Sequence, residues 1–97
     1  MMDAKELRAV LRALADVARI RMVSHVAAEG EVTVSALTRA LRISQPLASW
    51  HLRTLRKAGL ITTRRVGREV HCTLNRRRLA ECRDAIDDLI APSAPVE

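Results

Sequence analysis

Aromatic residues are almost absent from this chain: of 97 residues none is Phe or Tyr and one is Trp, Trp50. That excludes a thick aromatic core, and an apolar fraction of 48% carried by Leu, Val, Ile and Ala suits helices packed in thin layers. Two cysteines, Cys72 and Cys82, are too few for a disulfide framework. No apolar run approaches the length of a bilayer span, and the opening Met1-Met2-Asp3-Ala4-Lys5-Glu6 lacks a signal peptide's apolar region. A cytoplasmic chain with reduced thiols and no membrane association is expected. A Gly-rich phosphate loop, a metal-binding His pair and a paired acid–base constellation are all missing, so an enzyme is not expected.

What is present is positive charge, unevenly placed. Residues 32 to 78 hold eleven Lys and Arg against one acid, Glu69, whereas the remainder holds six against ten. A basic block of that density on a folded unit is the electrostatic footprint of a polyanion partner, although charge runs in general are often only solvated surface. The length sets one small domain, expected over residues 1–91, with Pro92 and Pro95 marking a flexible tail over 92–97. A monomer of this size buries a modest fraction of its surface, so a partner subunit would help it.

Helical spacing of Leu7, Val10, Leu11 and Leu14 predicts a first helix from about Ala4 to Ala13. Asp16 is placed to cap a second helix that carries Val17, Ile20, Val23 and Val26/Ala27 inward and ends at Gly30. Thr33 caps a short third helix to Leu41, with Val32 and Leu37 as the apolar pair that staples its entry. After the tight turn Leu41-Arg42-Ile43, Ser44 caps a fourth helix that tolerates Pro46 in its first turn and stops at Gly59. Two helices joined by a short turn, the second one basic, make a helix-turn-helix. The period then switches to two: residues 60–66 and 69–74 read as strands around Gly67-Arg68, a hairpin with an Arg-rich tip. A last helix from about Asn75 to Ile90 places Leu79, Cys82, Ile86, Leu89 and Ile90 on one face.

The segment from Ser44 to Leu60 carries the most information. A 3.6-residue period puts Ala48, Leu52 and Leu55 on its buried side and Pro46, Trp50, Arg53 and Lys57 on the opposite side. Together with Leu14-Ala15-Asp16-Val17-Ala18-Arg19-Ile20-Arg21, the runs Ser44-Gln45, Ser49-Trp50-His51-Leu52, Leu55-Arg56-Lys57-Ala58-Gly59-Leu60 and Arg65-Val66-Gly67-Arg68 closely resemble the ArsR–SmtB family of bacterial transcription regulators. The resemblance covers about residues 7 to 90. It implies a mainly α winged helix-turn-helix with a two-stranded β-hairpin wing, in the order α-α-α-α-β-β-α. It also implies a cytoplasmic homodimer joined through the first and last helices, with Leu7, Val10, Leu11, Leu79, Cys82, Ile86 and Leu89 as interface candidates. Apolar stripes on both terminal helices of a small aliphatic protomer fit that arrangement.

The fourth helix is then expected in the major groove of double-stranded DNA, with the wing beside the backbone. Gln45 suits adenine, Ser49 several bases, and Arg53 guanine or phosphate, while Ser44 caps the helix. Pro46, Leu47 and Trp50 suit thymine methyls or sugars. Arg64, Arg65 and Arg68 on the wing suit phosphates, and Arg39, Arg56 and Lys57 extend the positive track. His51, on the flank of the helix, suits a phosphate contact and at least as well a structural hydrogen bond, and Trp50 has the alternative of lying against a neighbouring helix or the wing. Leu47 likewise suits a dimer-facing shoulder, and His25 and His71 have no ligand spacing.

Many members of the resembled family sense metals through Glu-Leu-Cys-Val-Cys-Asp-Leu in the third helix. Here the run is Glu31-Val32-Thr33-Val34-Ser35-Ala36-Leu37, with hydroxyls in place of both thiolates, so neither that metal site nor any cofactor is expected. The family's second site, on the last helix, uses His with carboxylates; this helix has Glu81, Asp84, Asp87 and Asp88 but no His. Arg42 stands where the family's turn usually has Gly, and Cys72 where its wing usually has Tyr. A repressor is the leading expectation. A metal-responsive regulator using a non-standard carboxylate/His site, a regulator controlled by a protein partner, and a nonspecific nucleoid-binding protein are the alternatives.

Overall fold

The computed structural model describes residues 1–91, and the predicted tail lies outside the described residues. The elements run α1 (Ala4–Leu14), α2 (Val17–Glu29), β1 (Glu31–Thr33), α3 (Val34–Leu41), α4 (Gln45–Lys57), β2 (Ile61–Val66), β3 (Glu69–Leu74) and α5 (Arg76–Ile90). Each helix start is fixed by a side chain that accepts an otherwise unpartnered N–H of the first turn. Asp16 accepts from Arg19, Thr33 from Ala36, Ser44 from Leu47 and Asn75 from Arg78, all three residues on. Asp3 does the same for Glu6 at the start of α1.

The helix-turn-helix is built by two helix stops. At the end of α3, Arg42 adopts the left-handed conformation (φ 57°, ψ 46°), the Ile43 N–H reaches back to the Thr38 carbonyl at 3.3 Å, and Ile43 packs on the core. The turn thus keeps its geometry without Gly, at the steric cost an L-residue meets in that region. At the end of α4, Gly59 (φ 78°) donates to Arg56 and Leu60 donates to Leu55, which turns the chain sharply into β2. Arg78 of α5 secures this corner, bonding the Ala58 carbonyl at 3.4 Å and pairing with Glu6 of α1 at 3.2 Å.

The sheet is antiparallel, and it has three strands in the order β1-β3-β2 where the sequence led us to expect only a hairpin. The additional strand pairs Glu31 with Thr73, Val32 with Cys72 and Thr33 with His71. Three residues of mixed polarity carry no readable period; the strand exists because β3 presents an open edge beside it. The sheet's inner face carries Val32, Ile61 and Cys72, all buried, and its outer face carries Glu31, Arg64 and His71.

The core is aliphatic, centred on Val10, Met22, Val26, Leu37, Ala48, Leu55, Leu60 and Ile61. Two expectations about which side chains point inward are corrected. Val17 and Ile20 are exposed, because α2 buries Met22 and Val26 and turns the half-buried Arg19 toward α1 and α4. Leu7, Val10 and Cys82, assigned to a dimer interface, are buried inside their own protomer, and Leu79 packs partly against the same core. Of the seven interface candidates, Leu11, Ile86 and Leu89 stand exposed, and Ile90 lies beside them at 77% exposure.

Candidate nucleic-acid interface

The α4 helix lies across the fold with Ala48, Leu52 and Leu55 buried beneath it, as its period predicts. It turns Gln45, Pro46, Ser49, Trp50 and Arg53 outward, with Ser44 and Leu47 also exposed at the start and Lys57 at the end. Pro46 sits in the first turn, where a missing N–H costs nothing, so polar side chains are displayed from the first residue of the helix.

His51 does not join that face. It is buried, and its Nδ1 lies 3.1 Å from Nη1 of Arg19. Arginine only donates, so Nδ1 accepts in this contact, while Nε2 lies 3.9 Å from a carboxylate oxygen of Asp16. Arg19 in turn donates through Nε to the Ala13 carbonyl at 2.6 Å, which ties the end of α1, the start of α2 and the middle of α4 to one guanidinium. The Arg19 backbone N–H holds the Asp16 carboxyl below its usual range. Of the two placements weighed for His51, the structure has the internal hydrogen bond and not an exposed phosphate contact, and Arg19 is a positioning residue that the sequence reading did not single out.

The wing divides its arginines between two faces. Side chains alternate along β2, so Arg65 shares the side of Ile61 and Thr63, facing α4, whereas Arg64 shares the outer side with Thr62. Arg56 of α4 reaches Thr63 at 3.5 Å, which places the wing root against one flank of the helix. Arg64 is engaged elsewhere: its guanidinium makes two bonds to Glu31, at 3.1 and 3.2 Å, and His71 adds a contact at 3.2 Å. Arg64's hydrogen bonds hold the Glu31 carboxyl below the usual glutamate range. Arg65 and Arg68 are exposed, and among the described residues neither has an ion-pair partner.

On the other flank of α4, Trp50 lies beside α1. Its ring is 57% exposed, stands edge-on to His51 with centroids 5.3 Å apart, and forms one wall of a cleft of about 420 Å³ that includes Arg8 and Arg12. Trp50 thus lies beside a neighbouring helix, as one of its two placements has it, while staying exposed on the outward stripe of α4. Arg8 and Arg12 escaped the sequence analysis, although their four-residue spacing puts them on one side of α1.

Of the two hydroxyls that replace the family's thiolates, that of Thr33, at the end of β1, caps α3 by accepting from the Ala36 N–H, and Ser35 in α3 is exposed. Cys72 and Cys82 are free and buried, and burial pushes both thiols up. Among the described residues no helix is long and apolar enough to cross a membrane.

A helix-turn-helix whose second helix exposes a polar face, followed by an antiparallel wing, defines a winged helix-turn-helix protein. The chain matches the helix-turn-helix domain family over residues 8–64. It is 47% identical over 66 residues to the arsenic resistance transcriptional regulator ArsR1 of Pseudomonas putida, a match covering 68% of this chain and 52% of that one. It is 35% identical over 83 residues to the biofilm growth-associated repressor of Agrobacterium fabrum, covering 86% and 70%. The solved structure of a possible transcriptional regulator for arsenical resistance superposes with a TM-score of 0.75 at 34% identity, covering 84% of this chain and 83% of that one. The chain belongs to the ArsR–SmtB family of winged helix-turn-helix transcription regulators. These relatives are regulators, not enzymes, in keeping with the sequence-based expectation. The chain spans about half the length of several curated relatives, 52% in the case of ArsR1.

Proposed function

We propose that this protein is a sequence-specific regulator of transcription that binds double-stranded DNA as a cytoplasmic homodimer and acts as a repressor. The observation that carries this is the outward face of α4, where Gln45, Ser49 and Arg53 stand exposed on a helix whose opposite side is fully packed. A rigid helix with amide, hydroxyl and guanidinium groups at its leading end suits base edges, and Arg65 and Arg68 beside it suit phosphates. The exposed Leu11, Ile86, Leu89 and Ile90 on the terminal helices supply the apolar surface a second copy would cover. A dimer seated on an operator blocks polymerase without further parts.

The arsenic in the names of several relatives is not carried across. Thiophilic ions need exposed thiolates, and this chain's two thiols are buried on different elements while Thr33 and Ser35 stand at the third-helix positions.

The test is competition between a selected operator and bulk genomic DNA, with wild type and Gln45→Ala. Base reading predicts strong preference for the operator. The substitution should cost about 1 to 3 kcal/mol at one base pair and relax the preference there. Equal affinity of the wild type for both DNAs would indicate nonspecific nucleoid binding instead.

A further inference from the structure

The cations of α1 lie outside the basic block, yet the fold brings them to α4. Arg8 and Arg12 form one wall of the cleft described above, and Arg19, Trp50, Thr54 and Lys57 close it from the other side. Among the described residues no carboxylate lines the cleft. Among the described residues neither Arg8, Arg12 nor Lys57 has an ion-pair partner, whereas Arg64 and Arg78 do. Arg19 is already committed to Ala13 and His51, so the available charge comes from the other three.

The placement of this charge relative to the wing is what gives it meaning. Successive helical residues are about 100° apart, so Arg56, which touches the wing, points about 200° around α4 from Thr54, which faces α1. Wing and α1 therefore flank α4 on opposite sides. A helix about 10 to 12 Å across fills a major groove about 12 Å wide, so its two flanks meet the two phosphate strands that border the groove.

We propose that the cleft between α1 and α4 seats the sugar–phosphate backbone of one DNA strand, with Arg8, Arg12 and Lys57 contacting phosphates and Trp50 packing on sugar. Arg65 and Arg68 of the wing hold the opposite strand. This rests on the assignment of α4 to the major groove. It adds to that assignment a second clamp, from a helix otherwise expected only at a dimer interface.

Two measurements test it. Phosphate-ethylation interference on a selected operator with the wild-type protein should give two groups of sensitive phosphates per half-site, one on each strand; sensitivity confined to the strand beside the wing would overturn the proposal. The dependence of log K on log salt should then be compared for wild type, Arg65→Ala, the Arg8→Ala/Arg12→Ala pair and the Arg8→Lys/Arg12→Lys pair. Each lost phosphate contact lowers the slope by about 0.9, so the alanine pair should lower it by about 2 to 4 in a dimer and the lysine pair should hold it. An alanine pair with the wild-type slope would also overturn it, and if inorganic phosphate still shifts Trp50 emission saturably, the cleft is a free-anion site instead. Failure of the underlying assignment looks different: the wild type and Arg65→Ala would then show no operator binding to compare.

Discussion

Replacing His51 with Ala tests how α4 is held. The imidazole is 5% exposed and accepts a hydrogen bond from the Arg19 guanidinium at 3.1 Å. Losing a hydrogen bond to a charged group costs about 1.5 to 3 kcal/mol. Removing the buried ring carbons adds about 1 to 2 kcal/mol, toward the low end because water can enter beside the half-buried Arg19. The total is about 3 kcal/mol, a large share of the stability of a small domain. Urea unfolding at fixed protein concentration is the appropriate assay, since association of protomers adds to stability by mass action. His51→Asn should recover roughly half the loss, because its side-chain oxygen falls near the position of Nδ1 and can accept the same bond. A double-mutant cycle with Arg19→Ala should return a coupling of at least about 1 kcal/mol. If His51→Ala stays within about 0.5 kcal/mol of wild type, or if the two substitutions prove additive, then the guanidinium–imidazole contact does not hold α4 in place.

Other expectations follow from single contacts. Arg42→Gly relieves a left-handed side chain and should raise stability by about 0.5 to 1 kcal/mol, visible as a higher urea midpoint; a lower midpoint would mean the Arg42 side chain makes an interaction that outweighs the strain. Glu31 has its carboxyl held below the usual range by Arg64, so its contribution is present above the unfolded glutamate value and is lost as pH falls through the folded one. The stability gap between wild type and Glu31→Gln should accordingly be widest near neutral pH and close in acid, and a gap independent of pH would assign the effect to something other than charge. Cys72 and Cys82 should react with a thiol reagent at least about 10-fold more slowly in the native protein than in urea, since burial disfavours the thiolate and blocks access; prompt labelling of either in native buffer would contradict its placement.

The helices were legible because their signals are local. Asp16, Thr33 and Ser44 each cap the helix the sequence assigns to them, and the buried stripe of α4 follows from period alone. What the sequence concealed depends on pairs distant along the chain. β1 has three residues and no pattern of its own, and it becomes a strand only where β3, about forty residues later, offers an edge. Arg19 and His51 are 32 residues apart, and the buried imidazole finds its hydrogen-bond donor only when the fold brings the half-buried Arg19 beside it. Helical spacing of apolar residues placed Val17 and Ile20 inward, and nothing local reveals that α2 turns Arg19 toward α4 in their place.

Charge counting by block misplaced α1 for a related reason. The net negative charge of the chain ends resides in the last segment, where Glu81, Asp84, Asp87, Asp88 and Glu97 face Arg83 alone, while residues 1 to 31 balance five cations against five acids. Averaging over both ends hid Arg8 and Arg12, and only folding shows which helix they stand beside. Trp50 marks the join. It stands exposed on the outward stripe of α4 and also lines the cleft with Arg8 and Arg12. Its position between the two explains why spacing alone left it between a DNA contact and a packing role. A large, half-exposed indole at that edge can meet sugar and also stiffen the cleft, so Trp50→Ala should weaken binding to every DNA sequence, whereas Gln45→Ala should change which sequence is preferred.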